Sequence, residues 1–277
     1  MKRLTLRTTA AGLAVGLISV IAGAPAQAHL RFVPADEAIC KKRTEQGTGK
    51  DEVTHLPKNK RSFYNGGDGD DVIYGGEKDD IINGGRGNDV VHGGGGNDVV
   101  CGGVDNDKVY GDEGNDRVFG EEENDLVVGG PGNDEMGGQA GADKLLGYGK
   151  KHGEFVDDGE DVLDGSFEVD VLVAGGRDTL IGGADNDTLS SKTPDIGVKK
   201  MDGGIGNDKI FGSDADDDLL FGDIGDDLIR GGDGDDVLDG GGANDDLSGG
   251  GGEDSCDGGD GSGDKADSTC EKVTNVP

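Results

Sequence analysis

An aspartate recurs every ninth residue in one stretch of this chain: Asp71, Asp80, Asp89, Asp98, Asp107, Asp116, Asp125, Asp134 and Asp143. Two residues after each stands a large apolar side chain: Ile73, Ile82, Val91, Val100, Val109, Val118, Val127, Met136 and Leu145. Glycines precede the aspartate, as in GGDGDDVIY, GGRGNDVVH and GGGGNDVVC, and the units follow without a gap from Gly66 to Leu146. Glycine at positions one, two and four of such a unit permits positive φ and a tight turn. Carbonyl oxygens in that turn can point to a common centre, and the aspartate adds a carboxylate at its exit. The chemistry such a donor set can do is to hold a hard cation. Ca²⁺ suits it, because it takes six to eight oxygen ligands at flexible angles.

One turn offers too few oxygens to surround the ion, but two stacked turns offer enough. The last three residues of each unit, polar–apolar–polar, suit a very short strand with one side chain facing inward. Turn plus strand makes half a coil, and two units make a coil of about eighteen residues. Alternate strands then belong to opposite sheets, with the apolar residues meeting between them as a thin core. The expected result is a row of ions along each side. Asp71, Asp89, Asp107 and Asp125 would line one row, and Asp80, Asp98, Asp116 and Asp134 the other. About ten coils at ~4.8 Å per strand would make a rod on the order of 50 Å long.

The pattern breaks at Gly147, where GYGKKHGEF reads as an excursion loop. It resumes imperfectly around Asp161/Leu163, Asp170/Leu172, Asp178/Leu180 and Asp187/Leu189. The Asp178 unit is one residue short, Ser191-Lys192-Thr193 reads as an insertion, and Lys199 stands where an aspartate belongs. From Gly203 the pattern is regular again, and Asp208, Asp217, Asp227, Asp236 and Asp245 complete the expected metal ligands, with Phe221 as one extra residue. Lys78 and Asp105 replace glycine at position four, and Glu121, Glu122 and Glu123 depart from the pattern in the Asp125 unit. These substitutions put the sites of their own units in question.

Composition supports the same reading. The chain has 277 residues with 58 Gly, no Trp, 59 Asp+Glu against 26 Lys+Arg, and a formal charge of −33. So much charge with so few large apolar side chains leaves two choices, a disordered acidic chain or a fold neutralised by cations. The same charge argues against nucleic acid as a partner. Lys2, Arg3 and Arg7, an apolar run and Ala26-Gln27-Ala28 read as a secretory signal peptide over residues 1–28. The run is short of the ~20 residues that span a bilayer, so no membrane span is expected after its removal. Four cysteines in an exported chain suggest disulfides. Cys256 with Cys270 and Cys40 with Cys101 is the expected pairing, and the two other connectivities stay open on sequence alone.

The repeat resembles the RTX, or haemolysin-type, calcium-binding nonapeptide repeat, G-G-x-G-x-D-x-U-x. That resemblance implies an all-β fold, a right-handed parallel β-roll, with Ca²⁺ as the cofactor, secretion to the extracellular space, and folding induced by calcium after export. The organisation expected is a signal peptide (1–28), an N-terminal cap or linker (29–65), regular repeats (66–146), irregular repeats with insertions (147–202), regular repeats (203–263) and a tail (264–277). The basic group Lys41, Lys42, Arg43, Lys50, Lys58, Lys60 and Arg61 reads as part of the cap, or as a contact for an acidic partner. No His-Glu-x-x-His or Gly-x-Ser-x-Gly occurs, and no phosphate-loop lysine follows the glycine strings. The reading that follows is a non-enzymatic calcium-binding protein of unknown protein or envelope partner. The alternatives are a cell-envelope or matrix adhesin and, behind it, a β-solenoid hydrolase or lyase.

Overall fold

A computed structural model of the chain describes residues 40, 45–151, 154–156, 159–191, 200–214 and 218–277. The expected signal peptide lies outside them. Every named element is a strand, and no helix among the described residues is long and apolar enough to cross a membrane. Apart from one antiparallel pair, the described strands alternate between two parallel sheets of 13 and 12 strands, each pairing with the next-but-one strand of the roll. The chain is thus a parallel β-roll of eighteen-residue windings, with Ile82 beside Val100 in one sheet and Val91 beside Val109 in the other.

The eighth-position residues fill the space between the sheets. Ile82, Val91, Val100, Val109, Val118, Val127, Met136 and Leu145 are fully buried, and the core continues through Leu163, Leu180, Met201, Leu220 and Leu238 to Cys256. Each nonapeptide thus places one large side chain in the core. A buried Val, Leu or Ile contributes about 1.5–3 kcal/mol, which does not match the entropy lost by nine ordered residues. Backbone ladders and the turns must supply the rest.

Many strands are longer than three residues. Val90–Gly95 and Val99–Val104 each run on through the glycine pair of the next unit, because glycine lets neighbouring backbones lie in register there, as Gly85 does beside Gly103. Gly103 shows why the residue type is fixed. Its φ is +126°, and a Cβ would sit 2.2 Å from the carbonyl oxygen of Gly85 in the winding below. Gly103→Ala is therefore expected to destabilise the roll by roughly 3 kcal/mol, measured by denaturant unfolding in excess calcium.

The interruptions are absorbed without losing register. Gly149–Lys151 and Glu154–Val156 form a separate antiparallel pair, while Met136 stacks on Leu163 and Leu145 on Leu172 across it. Phe221 is not the extra residue. It pairs in register with Asp202, and Leu220 with Met201, so the additional residue falls in the turn ahead of Asp218. The ends are also wound into the sheets. Glu45–Gln46 pairs with Tyr64–Asn65, and Val53–His55 with Val72–Tyr74. At the other end Cys270–Thr274 extends the larger sheet, and a disulfide joins Cys256 to Cys270. A second disulfide joins Cys40 to Cys101, and the pair packs against Phe119 on the outer face of that sheet. His92 is a half-buried member of a stacked column, His55–Tyr74–His92–Tyr110, with its Nδ1 3.0 Å from Asp112.

Candidate metal centre

The regular turn has left-handed backbone at its second and fourth positions. Gly85 and Gly87 take it, as do Gly94 and Gly96. Several non-glycine residues take it too, including Asp105, Glu121 and Glu123, which keep the turn intact at a cost on the order of 1 kcal/mol each. Lys78 is not among them. This backbone aims the aspartate at position six back into its own turn.

Each aspartate carboxylate then has two oxygens with different fates. Oδ1 accepts the backbone N–H of the aspartate one winding earlier. Asp71 donates to Asp89, Asp89 to Asp107, Asp107 to Asp125 and Asp125 to Asp143, at 2.7–2.8 Å. The ladder continues from Asp143 through Asp170, Asp187, Asp208, Asp227 and Asp245 to Asp264. On the other edge it runs from Asp80 through Asp98, Asp116, Asp134 and Asp161 to Asp178. It resumes from Asp218 through Asp236 and Asp254, whose N–H goes to Glu271. Asp217 lies outside the described residues, and Asp218 occupies the ladder position next to Asp236.

The second oxygen is left over. Oδ2 of Asp71, Asp89, Asp98, Asp107, Asp116, Asp125, Asp143, Asp170, Asp187, Asp208, Asp227, Asp245, Asp254 and Asp264 is buried and has no hydrogen-bond partner. An unsatisfied buried carboxylate oxygen is costly, and its repetition winding after winding calls for a cation. The cradle around it has the right composition. A Cβ built on Gly84 would meet Asp89 Oδ2 at 2.3 Å and the Gly102 carbonyl oxygen of the next winding at 2.6 Å. Gly102 repeats this with Asp107 Oδ2 at 2.5 Å and the Gly120 carbonyl at 2.7 Å. Glycine keeps a space open that carboxylate and carbonyl oxygens from two windings share. Such all-oxygen donors fit a hard divalent cation such as Ca²⁺ and not a soft transition metal. A bound ion would supply charge neutralisation and a bridge between windings.

Electrostatics agree. Burial, opposed by the ladder N–H and reinforced by neighbouring aspartates, pushes Asp107 and Asp170 up to about 9 and Asp116 and Asp125 to about 8. Asp89 and Asp98 rise to about 7 for the same reasons. Without a cation these side chains resist ionisation. Among the described residues Cys40, Cys101 and Glu121 also converge, but their two sulfurs share a disulfide and are not thiolate ligands.

A second ladder is carried by position five, which the nine-residue aspartate pattern does not include. Asn97 Oδ1 accepts the N–H of Asn115, and Asn115 Oδ1 that of Asn133. Asp70 and Asp79 do the same for Asn88 and Asn97. These oxygens point forward along the roll where the aspartate ladder points back. The Asn or Asp that precedes the ladder aspartate in every unit from Asp71 to Asp134 is the visible signal.

The sequence profile described as the RTX calcium-binding nonapeptide repeat matches this chain in overlapping copies over residues 65–145, 155–189 and 200–263. Comparison with curated proteins gives no match.

Proposed function

Because the chain belongs to the RTX calcium-binding nonapeptide repeat family, we propose that it is an exported, non-enzymatic protein whose roll forms when Ca²⁺ bridges its windings. The observation that carries this reading is the run of buried Oδ2 atoms without partners. Asp71, Asp89, Asp107, Asp125 and Asp143, then Asp170, Asp187, Asp208, Asp227 and Asp245, supply one carboxylate oxygen each on one edge. Asp98, Asp116, Asp134, Asp161, Asp236 and Asp254 do so on the other. Carbonyls such as those of Gly102 and Gly120 complete the shell. Export is supported by the basic, apolar and small-residue order of residues 1–28. A chain that needs calcium to neutralise its interior stays open where calcium is scarce and closes where it is plentiful.

The test is equilibrium dialysis of the metal-stripped chain against millimolar Ca²⁺, and separately Mg²⁺, with the bound ions counted. Several calcium ions per chain and far fewer magnesium ions are expected, since Mg²⁺ demands a tighter octahedron and gives up water reluctantly. A chain that retains no calcium under these conditions would refute the proposal.

A further inference from the structure

The two edges of the roll are not equivalent. On the edge that runs from Asp71 to Asp264, every ladder aspartate keeps a buried Oδ2 without a partner. On the other edge, Oδ2 of Asp98, Asp116 and Asp254 is left the same way, and three aspartates differ. Asp80 Oδ2 accepts the N–H of Gly76 at 2.8 Å. Asp178 Oδ2 accepts that of Gly175 at 3.0 Å, with Gly176 at 3.5 Å. Asp218 Oδ2 accepts the N–H of Ser213 at 2.6 Å and its hydroxyl at 3.1 Å.

The backbone explains the difference. Among the described residues before these three aspartates, Gly75 to Lys78, Gly175 to Arg177 and Gly212 to Asp214 contain no left-handed position, whereas the regular turns contain two. Lys78 resists positive φ, the Asp178 unit is a residue short, and the Asp218 unit is a residue long. Each turn therefore folds inward and gives its own N–H to the carboxylate oxygen that regular turns leave for an ion. Between the second and third of these turns in the stack, the sequence places Lys199 at the aspartate position.

We propose that the Asp80 and Asp178 turns are closed by their own hydrogen bonds and take no calcium. The ions then form one continuous row on the Asp71–Asp264 edge and separate blocks on the other edge, divided at Asp178. Binding is cooperative along the continuous edge, where each ion orders the turn its neighbour needs. The divided edge fills as independent groups.

This inference rests on the calcium reading above, and the experiment separates the two. Calcium bound at saturation is counted on the full, disulfide-intact chain after gel filtration, for wild type, Asp107→Asn, Asp80→Asn and Asp178→Asn. Asp107→Asn is expected to lose at least one ion per chain. Asp80→Asn and Asp178→Asn are expected to keep the wild-type number, because a side-chain amide oxygen can still accept the turn N–H. If Asp178→Asn does not fold, Asp80→Asn in an early winding answers the same question. Loss of an ion from either closed-turn variant, as from Asp107→Asn, would overturn the inference and leave the function standing. A wild-type chain that binds no calcium would overturn the function, and the inference with it.

Discussion

Excess chelator is expected to abolish the β-sheet circular dichroism of this protein at neutral pH and to expand the chain from a short rod to a coil with a radius of gyration of roughly 50 Å. The reason lies in what remains when no cation is bound. The core is one apolar side chain deep, from Ile73 through Val100 and Leu163 to Leu247. Both edges then carry buried carboxylates stacked at the spacing of adjacent strands, and along the Asp71–Asp264 edge each has an oxygen that nothing satisfies. An ion present at about 100 times its Kd stabilises the folded state by about 2.7 kcal/mol per site. Several such sites exceed the net stability of a typical domain, so their removal is expected to be decisive. The two disulfides hold the ends but cannot replace the ions between them. Small-angle scattering with and without chelator measures the effect, and an unchanged compact rod in chelator would count against it.

Acid should rescue the calcium-free chain. In the roll without calcium many ladder carboxyls hold their protons more tightly than the ordinary value of 3.8, chiefly because burial penalises the charge. Asp208 and Asp245 rise to about 6, Asp143 and Asp227 to about 7, Asp187 to about 8, and Asp107 and Asp170 to about 9. The folded state therefore binds more protons than the unfolded one between about pH 4 and pH 9, and stability falls as pH rises through that window. It is full below about pH 4 and lost progressively as the folded carboxyls are forced to ionise. Among four conditions, pH 4 or 8 with chelator or calcium, only chelator at pH 8 is expected to give an unfolded spectrum. Equal order in chelator at both pH values would contradict the account.

The architecture is readable in the repeat itself, because a nine-residue period with one apolar residue fixes which side chains face inward. Asp98 and Val100 were legible for that reason. What was not legible depended on the stacking of windings. Asp217 and Asp218 are neighbours in a run of acidic residues, and only the pairing of Leu220 with Met201 shows where the additional residue falls. Glu271 sits in what reads as a tail, yet its carboxylate takes the N–H of Asp254 and ends one ladder. The column His55–Tyr74–His92–Tyr110 arises because position nine recurs on the same face every other unit. Lys78 stands in a turn with no left-handed position, whereas Asp105 takes φ +84° and keeps its turn regular, a difference in backbone that the residue types alone do not show.

The central claim is that calcium bridging builds the roll. It is tested most directly by titrating Ca²⁺ into the metal-stripped, disulfide-intact chain at about pH 7.5 while bound ions and far-ultraviolet circular dichroism are followed on the same sample. Sheet signal that appears in step with ion uptake, steeply and over a narrow range of free calcium, is the predicted result. A signal already complete before the first ion binds would contradict it.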